Sequence, residues 1–186
     1  MAGVEPGGMA EPTIADVILL DVHGRAIGSA PKLSAHRPPG AFHSAFSVFI
    51  RDSSGRHLLQ RRATGKYHFA GRWANACCGH PAPGEKTLEA AHKRLEQEMR
   101  ITADLSPIGF FTYRAVDEVS GLVEHERDEL FTGVMDLAPD PDPQEVGEWE
   151  WIGSDELRSR FASEPAHFAP WLIVALEMFP SLLNPA

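Results

Sequence analysis

The sequence predicts an α+β domain, a mixed β-sheet packed between helices. Strand-like stretches outnumber helical ones, and the two kinds are interleaved irregularly rather than in strict alternation. A chain of 186 residues with 43% hydrophobic residues is long enough for one well-buried core and short for two. No internal repeat or linker divides it, so residues 13–186 are expected to form one domain behind a Gly- and Pro-rich, disordered tail over residues 1–12.

Taken in order, "ADVILLDVHGRAIG" reads as a strand, a His-Gly turn and the start of a second strand. "PKLSAHRPPGAFH" reads as a loop, because Pro-Pro-Gly cannot continue a ladder. In "SAFSVFIRDSSGRHLLQRRA", Phe46, Val48 and Ile50 alternate on one face, the chain turns at Asp52 to Gly55, and Leu58 and Leu59 return it as a hairpin. "KTLEAAHKRLEQEMR" places Leu88, Ala91, Leu95 and Met99 on one helical stripe, with Thr87 as N-cap and Arg94 four residues before Glu98. Two strands joined at a Ser-Gly turn follow, over "PIGFFTYRAVDEVSGLVEHERDELFTGVMDL", and strand alternation puts Glu124 and Glu126 on the same side. "APDPDPQEVGE" is an acidic, Pro-broken connector leading into a short strand, "WEWIG". A helix starting at Ser154 or Asp155 and an apolar helix, "PWLIVALEMF", ending before Pro180 complete the chain.

A net charge of -9 argues against non-specific nucleic-acid binding and leaves room for a local basic pocket. No apolar run approaches bilayer length and the first residues lack a leader pattern, so a soluble cytoplasmic protein without membrane partners is expected, as monomer or weak homodimer. The two cysteines, Cys77 and Cys78, are adjacent, too close along the chain for an unstrained disulfide. They are read as thiols, in keeping with a reducing compartment.

His36, His43 and His80, with the paired Glu124 and Glu126, would form a five-ligand N/O site suited to Mn²⁺, Zn²⁺ or Fe²⁺. Spacing alone equally admits separate surface histidines and a solvated strand face. Lys32, Arg62, Lys66 and Arg94 lie in segments that could converge around the histidine-bearing loop, a cluster suited to a diphosphate, or could be ordinary surface charge. Arg61 and Arg62 are adjacent, so only one can face inward from a strand.

From Gly79, five residues lead to Glu85 and seven more to "KRLEQEMRI", a spacing that resembles the Nudix box, whose glutamates hold Mg²⁺ for diphosphate hydrolysis. Here Lys93 and Arg94 replace its Arg-Glu, Gln97 replaces a glutamate, Arg100 stands where glycine is usual, and only Glu85 and Glu98 remain. Such a box is expected to bind a diphosphate without cutting it. "WANACCGHP", "YRA" with "SGLVEHE", and "FAPW" resemble signatures of the type 1 isopentenyl-diphosphate Δ-isomerases, over roughly residues 15–180. The resemblance implies a Nudix-like sheet and interconversion of isopentenyl and dimethylallyl diphosphate. It implies Mn²⁺ or Zn²⁺ on His36, His43, His80, Glu124 and Glu126, and Mg²⁺ on Glu98 and the Cys78 carbonyl. It further implies phosphate contacts from Lys32, Arg62, Lys66 and Arg94, and chemistry at Cys78, Glu126, Tyr113 and Trp171.

Cys77 then takes a small apolar position, as a packing residue. The sequence departs from the family pattern in "YHFAGRW", where Ala70 replaces a proline, at Phe42, at Arg100 and in a longer loop over Asp117 to Ser120, and His68, Phe69 and Ala70 are expected to border the pocket. An altered shape there could admit another prenyl diphosphate, which would be rearranged or cyclised. Hydrolysis and silent diphosphate binding are the remaining alternatives.

Overall fold

The computed structural model describes residues 16–183; the expected tail over residues 1–12 lies outside the described residues. Nine strands form one mixed sheet: β1 Asp16–Leu20, β2 Ala26–Pro31, β3 His43–Arg51, β4 His57–Arg62, β5 Trp73–Ala74, β6 Cys77–Gly79, β7 Ser106–Val116, β8 Val123–Val134 and β9 Val146–Ile152. The helices are α1 Lys32–His36, α2 Thr87–Met99, α3 Ser154–Ser163 and α4 Pro170–Met178. This is the predicted α+β class.

The sheet is organised around β3. One of its edges pairs in parallel with β8 along its whole length, from His43↔Glu126 to Arg51↔Val134. The other edge is shared: β1 meets it at His43, β6 at Phe46 to Val48, and β4 only at Arg51. The predicted hairpin is therefore real at its turn but splays at once, and β4 runs instead with β9. That divergence leaves room for β6 and so seats the two cysteines against the middle of β3.

Alternation along β3 divides the core in two. Phe46, Val48 and Ile50 pack with Ala90, Ala91, Leu95 and Met99 of α2 on one face. Phe49 packs with Phe111, Leu130 and the Trp171, Leu172 and Ala175 side of α4 on the other.

Three local expectations need correction. The segment read wholly as a loop contains α1, a short helix closing just before the Pro-Pro turn, which buries Ala35 and His36. Thr87 is not the N-cap of α2: Lys86 holds that position and no side chain caps the helix. Leu88 is 37% exposed, because the buried stripe begins at Ala90. Where glycine is usual, Arg100 ends α2 in the left-handed region at φ 52°, a conformation that costs an L-residue about 1–2 kcal/mol.

Candidate active site

Register alone assembles the site. Across the β3 ladders His43 faces Glu126, Ala45 faces Asp128 and Ser47 faces both Leu130 and Cys78, while Tyr113 and Ala115 of β7 stand beside Glu126 and Glu124. These side chains share one face of the sheet. Cys78 and Glu126 thus approach from opposite edges of β3 across Ala45, and Cys77, one residue earlier, is buried in the α2 core on the other face. Gly79 permits this close passage, since a Cβ there would lie 3.0 Å from Phe46 Cζ.

His36, His43, His80, Glu124 and Glu126 place ligand atoms within 4.8 Å of one another. His36 Nδ1 lies 2.6 Å from the Lys32 carbonyl and His43 Nδ1 lies 2.8 Å from the Ala41 carbonyl. A carbonyl can only accept, so each Nδ1 carries the proton and the neutral rings turn bare Nε2 lone pairs toward the carboxylates. His36 Nε2 and Glu124 Oε2 approach to 2.8 Å without hydrogen-bond geometry, and both are buried atoms with no hydrogen-bond partner among the described residues. His43 Nε2 and His80 Nε2 face each other at 3.1 Å. Where the bare Nε2 of His36 meets the Glu124 carboxylate, lone pair faces lone pair, and the two repel unless a cation lies between them. The carboxylates draw positive charge into the site: burial works against a charged His43, yet Glu126 and Glu124 draw its pKa up. Burial also opposes ionisation of Glu124, and the His36 and His68 imidazoles against it still hold its carboxyl well below the usual range. A divalent cation fits this donor set.

The adjoining pocket holds about 460 Å³, part of it open to solvent, and its walls include every predicted phosphate and catalytic residue: Lys32, Arg62, Lys66, Arg94, Cys78, Tyr113, Glu126 and Trp171. Arg62 turns inward at a register shift in the β4–β9 ladder and donates to the Phe69 and His68 carbonyls, at 3.2 and 3.1 Å, while Arg61 points out to Glu148. Burial pushes the Cys78 thiol up to about 12 although Arg62 pulls it down, and its sulfur lies 4.0 Å from Arg62 Nη1. Tyr113 donates a 2.6 Å hydrogen bond to Glu126 Oε2, while Glu126 Oε1 takes His80 Nε2 at 2.8 Å. Trp171 is 3% exposed, fixed by a 3.1 Å hydrogen bond to Asn75 Oδ1 and by Phe69 edge-on at 5.5 Å. Glu98 of α2 also lines the pocket, held by Arg94 Nε at 2.6 Å and by Gln60 at 3.0 Å.

Four residues for which no role was predicted belong to this site. His68 bonds Glu124 Oε1 from the pocket wall, Asn75 carries Trp171, Glu145 grips Lys66 and Arg94, and Asp128 lines the pocket with Oδ1 unpartnered among the described residues. Asp128 was legible as the next position after Glu124 and Glu126 in a period of two. Of the departures from the family pattern, His68 reaches the pocket and Phe69 packs behind it, whereas Ala70 faces a separate cavity with Arg72 and His167.

Residues 41–172 match the NUDIX domain family. An isopentenyl-diphosphate Delta-isomerase of Nocardia farcinica is 49% identical over 162 residues, 87% of this chain and 93% of that one. One from Streptomyces griseus is 48% identical over 86% of this chain and 80% of its own, and one from Serratia proteamaculans is 44% identical over 87% and 89%. Among solved structures, Deinococcus radiodurans DR0079 superposes with a TM-score of 0.66 at 18% identity, covering 80% of this chain and 90% of that one, a likeness of fold.

Proposed function

Because the chain belongs to the isopentenyl-diphosphate Delta-isomerase family, we infer that its pocket isomerises isopentenyl diphosphate to dimethylallyl diphosphate, and we propose which residues do so. Shifting the double bond requires a proton added at C4 and another removed from C2. A C4–H bond forms as the C3–C4 π bond breaks, leaving positive charge on C3. The C2–H bond then breaks, and its electron pair forms the C2–C3 double bond.

Cys78 and Glu126 are the proton-exchanging pair, since they reach a flat substrate from opposite edges of β3. Tyr113 holds the Glu126 oxygen that does not face the histidines. The cation at C3 needs a site that excludes water, and the buried Trp171 and Tyr113 supply it, with Phe69 packed edge-on behind the indole. A carboxylate about 4 Å away stabilises that cation by roughly 4 kcal/mol at an effective dielectric of 20, against about 2 kcal/mol from an indole face. Glu126 therefore dominates and Trp171 shapes and assists.

Lys32, Arg62, Lys66 and Arg94 bind the diphosphate. Mn²⁺ or Zn²⁺ on His36, His43, His80, Glu124 and Glu126 would fix the Glu126 carboxyl and tune its acidity, while Mg²⁺ on Glu98 and the Cys78 carbonyl would neutralise the diphosphate. The observation that carries this reading is the convergence of Cys78, Glu126, Tyr113 and Trp171 on one pocket whose walls also carry Lys32, Arg62, Lys66 and Arg94. Incubation with isopentenyl diphosphate in deuterium oxide should give dimethylallyl diphosphate labelled at C4, with exchange at C2. Release of inorganic phosphate, or unlabelled substrate returned intact, would defeat it.

A further inference from the structure

The acidic connector before β9 reads in the sequence as a solvated link, yet its last residue sits against the phosphate-binding cations. Glu145 Oε2 accepts from Lys66 Nζ and, at 3.0 Å, from Arg94 Nη2, so one carboxylate oxygen joins two of the four cations. Arg94 is held a second time, through Nε, by Glu98 Oε1 at 2.6 Å. Lys66 and Arg94 line the pocket and Glu145 does not. It therefore grips them from outside the seat that a phosphate would take.

Its backbone is fixed on both sides. The Glu145 N–H donates to the Asp142 carbonyl at 3.0 Å and the Glu145 carbonyl accepts from the Ala63 N–H at 3.0 Å, while the Asp142 N–H reaches the Glu98 carbonyl at 2.9 Å. The carboxylate is thus carried on an anchored segment, next to β9 and the end of α2, rather than on a free loop. Burial opposes its charge, but Lys66 and Arg94 together keep it ionised, below the ordinary carboxylate range. Two cations whose long side chains would otherwise repel each other and wander are held at a common point.

We propose that Glu145 is a positioning residue of the diphosphate seat: by tethering Lys66 and Arg94 from behind, it aims their remaining N–H groups into the pocket. This rests on the diphosphate reading above. A positioning role predicts that losing the tether raises KM and barely moves kcat, because neither Cys78 nor Glu126 depends on it.

The test is Glu145→Gln in the metal-loaded full chain, with isomerisation kinetics and calorimetric binding of inorganic pyrophosphate as a separate readout. We expect KM and the pyrophosphate dissociation constant to rise about tenfold, the scale of one charge-assisted hydrogen bond, with kcat within about threefold. Glu145→Asp should recover part of the loss. In a Lys66→Met background, Glu145→Gln should add less than half of its effect on the wild type, because one tethered cation is already gone. Unchanged or tighter pyrophosphate binding by Glu145→Gln would overturn the proposal and mark Glu145 as a competitor for the seat. Failure of the wild-type chain to bind pyrophosphate or to isomerise would overturn the diphosphate reading itself.

Discussion

Removing one oxygen from Tyr113 should cost this enzyme between one and two orders of magnitude in turnover. The Tyr113 hydroxyl donates at 2.6 Å to Glu126 Oε2, and both residues are nearly inaccessible, at 9% and 5% exposure. Glu126 has only two oxygens, and Oε1 is engaged with His80 and His43. In Tyr113→Phe, Oε2 loses its donor in a site too buried for bulk water to replace it. A hydrogen bond to a charged group contributes about 1.5–3 kcal/mol, which corresponds to a roughly ten- to hundredfold fall in kcat if the bond orders the proton-transferring oxygen in the transition state. The phenyl ring keeps its packing against Phe111, at 5.5 Å between centroids, so folding should change little. The assay is steady-state conversion of isopentenyl diphosphate, with deuterium exchange at C2 and C4 followed separately and pyrophosphate binding as a control. A kcat within twofold of the wild type would refute the claim that Tyr113 orients Glu126. A parallel loss of pyrophosphate binding would refute the claim that the effect is confined to the alkene end of the pocket.

Cys78→Ala and Glu126→Gln should each abolish isomerisation while pyrophosphate still binds, as titration calorimetry would show. His68→Ala removes the only described side chain outside the predicted ligand set that hydrogen-bonds Glu124, and metal affinity measured by competition with a chelator should fall about ten- to a hundredfold, as for other partners of metal-bound carboxylates. Away from the site, burial and the nearby Arg51 and Arg158 push His57 down to about 4, and its Nε2 bonds Ser154 Oγ at 2.9 Å, beside the start of α3. Its folded pKa lies below the unfolded value of about 6.5, so as pH falls the unfolded chain takes the proton first and stability is lost from about pH 6.5 down to about 4. Between pH 7.5 and 5 that linkage amounts to about 2 kcal/mol at most, which urea unfolding of the wild type and His57→Gln should reveal as a difference in pH slope.

Strand alternation made the paired glutamates legible, and the i, i+4 rule placed Arg94 beside Glu98, because both are properties of a single element. The convergence of five residues of metal-ligand type was not legible from spacing. His36 sits on a helix, His43 on β3, His80 just after β6 and the glutamates on β8, and only the order in which strands pair brings them together. The resemblance to a known family supplied what local periodicity could not. Glu145, and the bond from His68 to Glu124, escaped for the same reason: each takes its meaning from the element packed across from it. The missed helix over Lys32–His36 shows the reverse error, in which Pro-Pro-Gly was allowed to speak for five residues that precede it.

The altered box on α2 explains why a fold shared with NUDIX proteins can hold a diphosphate without cleaving it. In this chain Arg94 stands at a box position usually given to glutamate, and its guanidinium lies between Glu98 and Glu145, bonded to both. One substitution thus removes a carboxylate that could help hold metal against a phosphorus-oxygen bond and neutralises two others nearby. It also adds a cation to the pocket wall, one of the four proposed to bind phosphate. The proposed reactive groups line the same pocket, with Arg62 Nη1 4.0 Å from the Cys78 sulfur. There Cys78 and Glu126, carried on strands at opposite edges of β3, are the pair proposed to exchange protons with carbon.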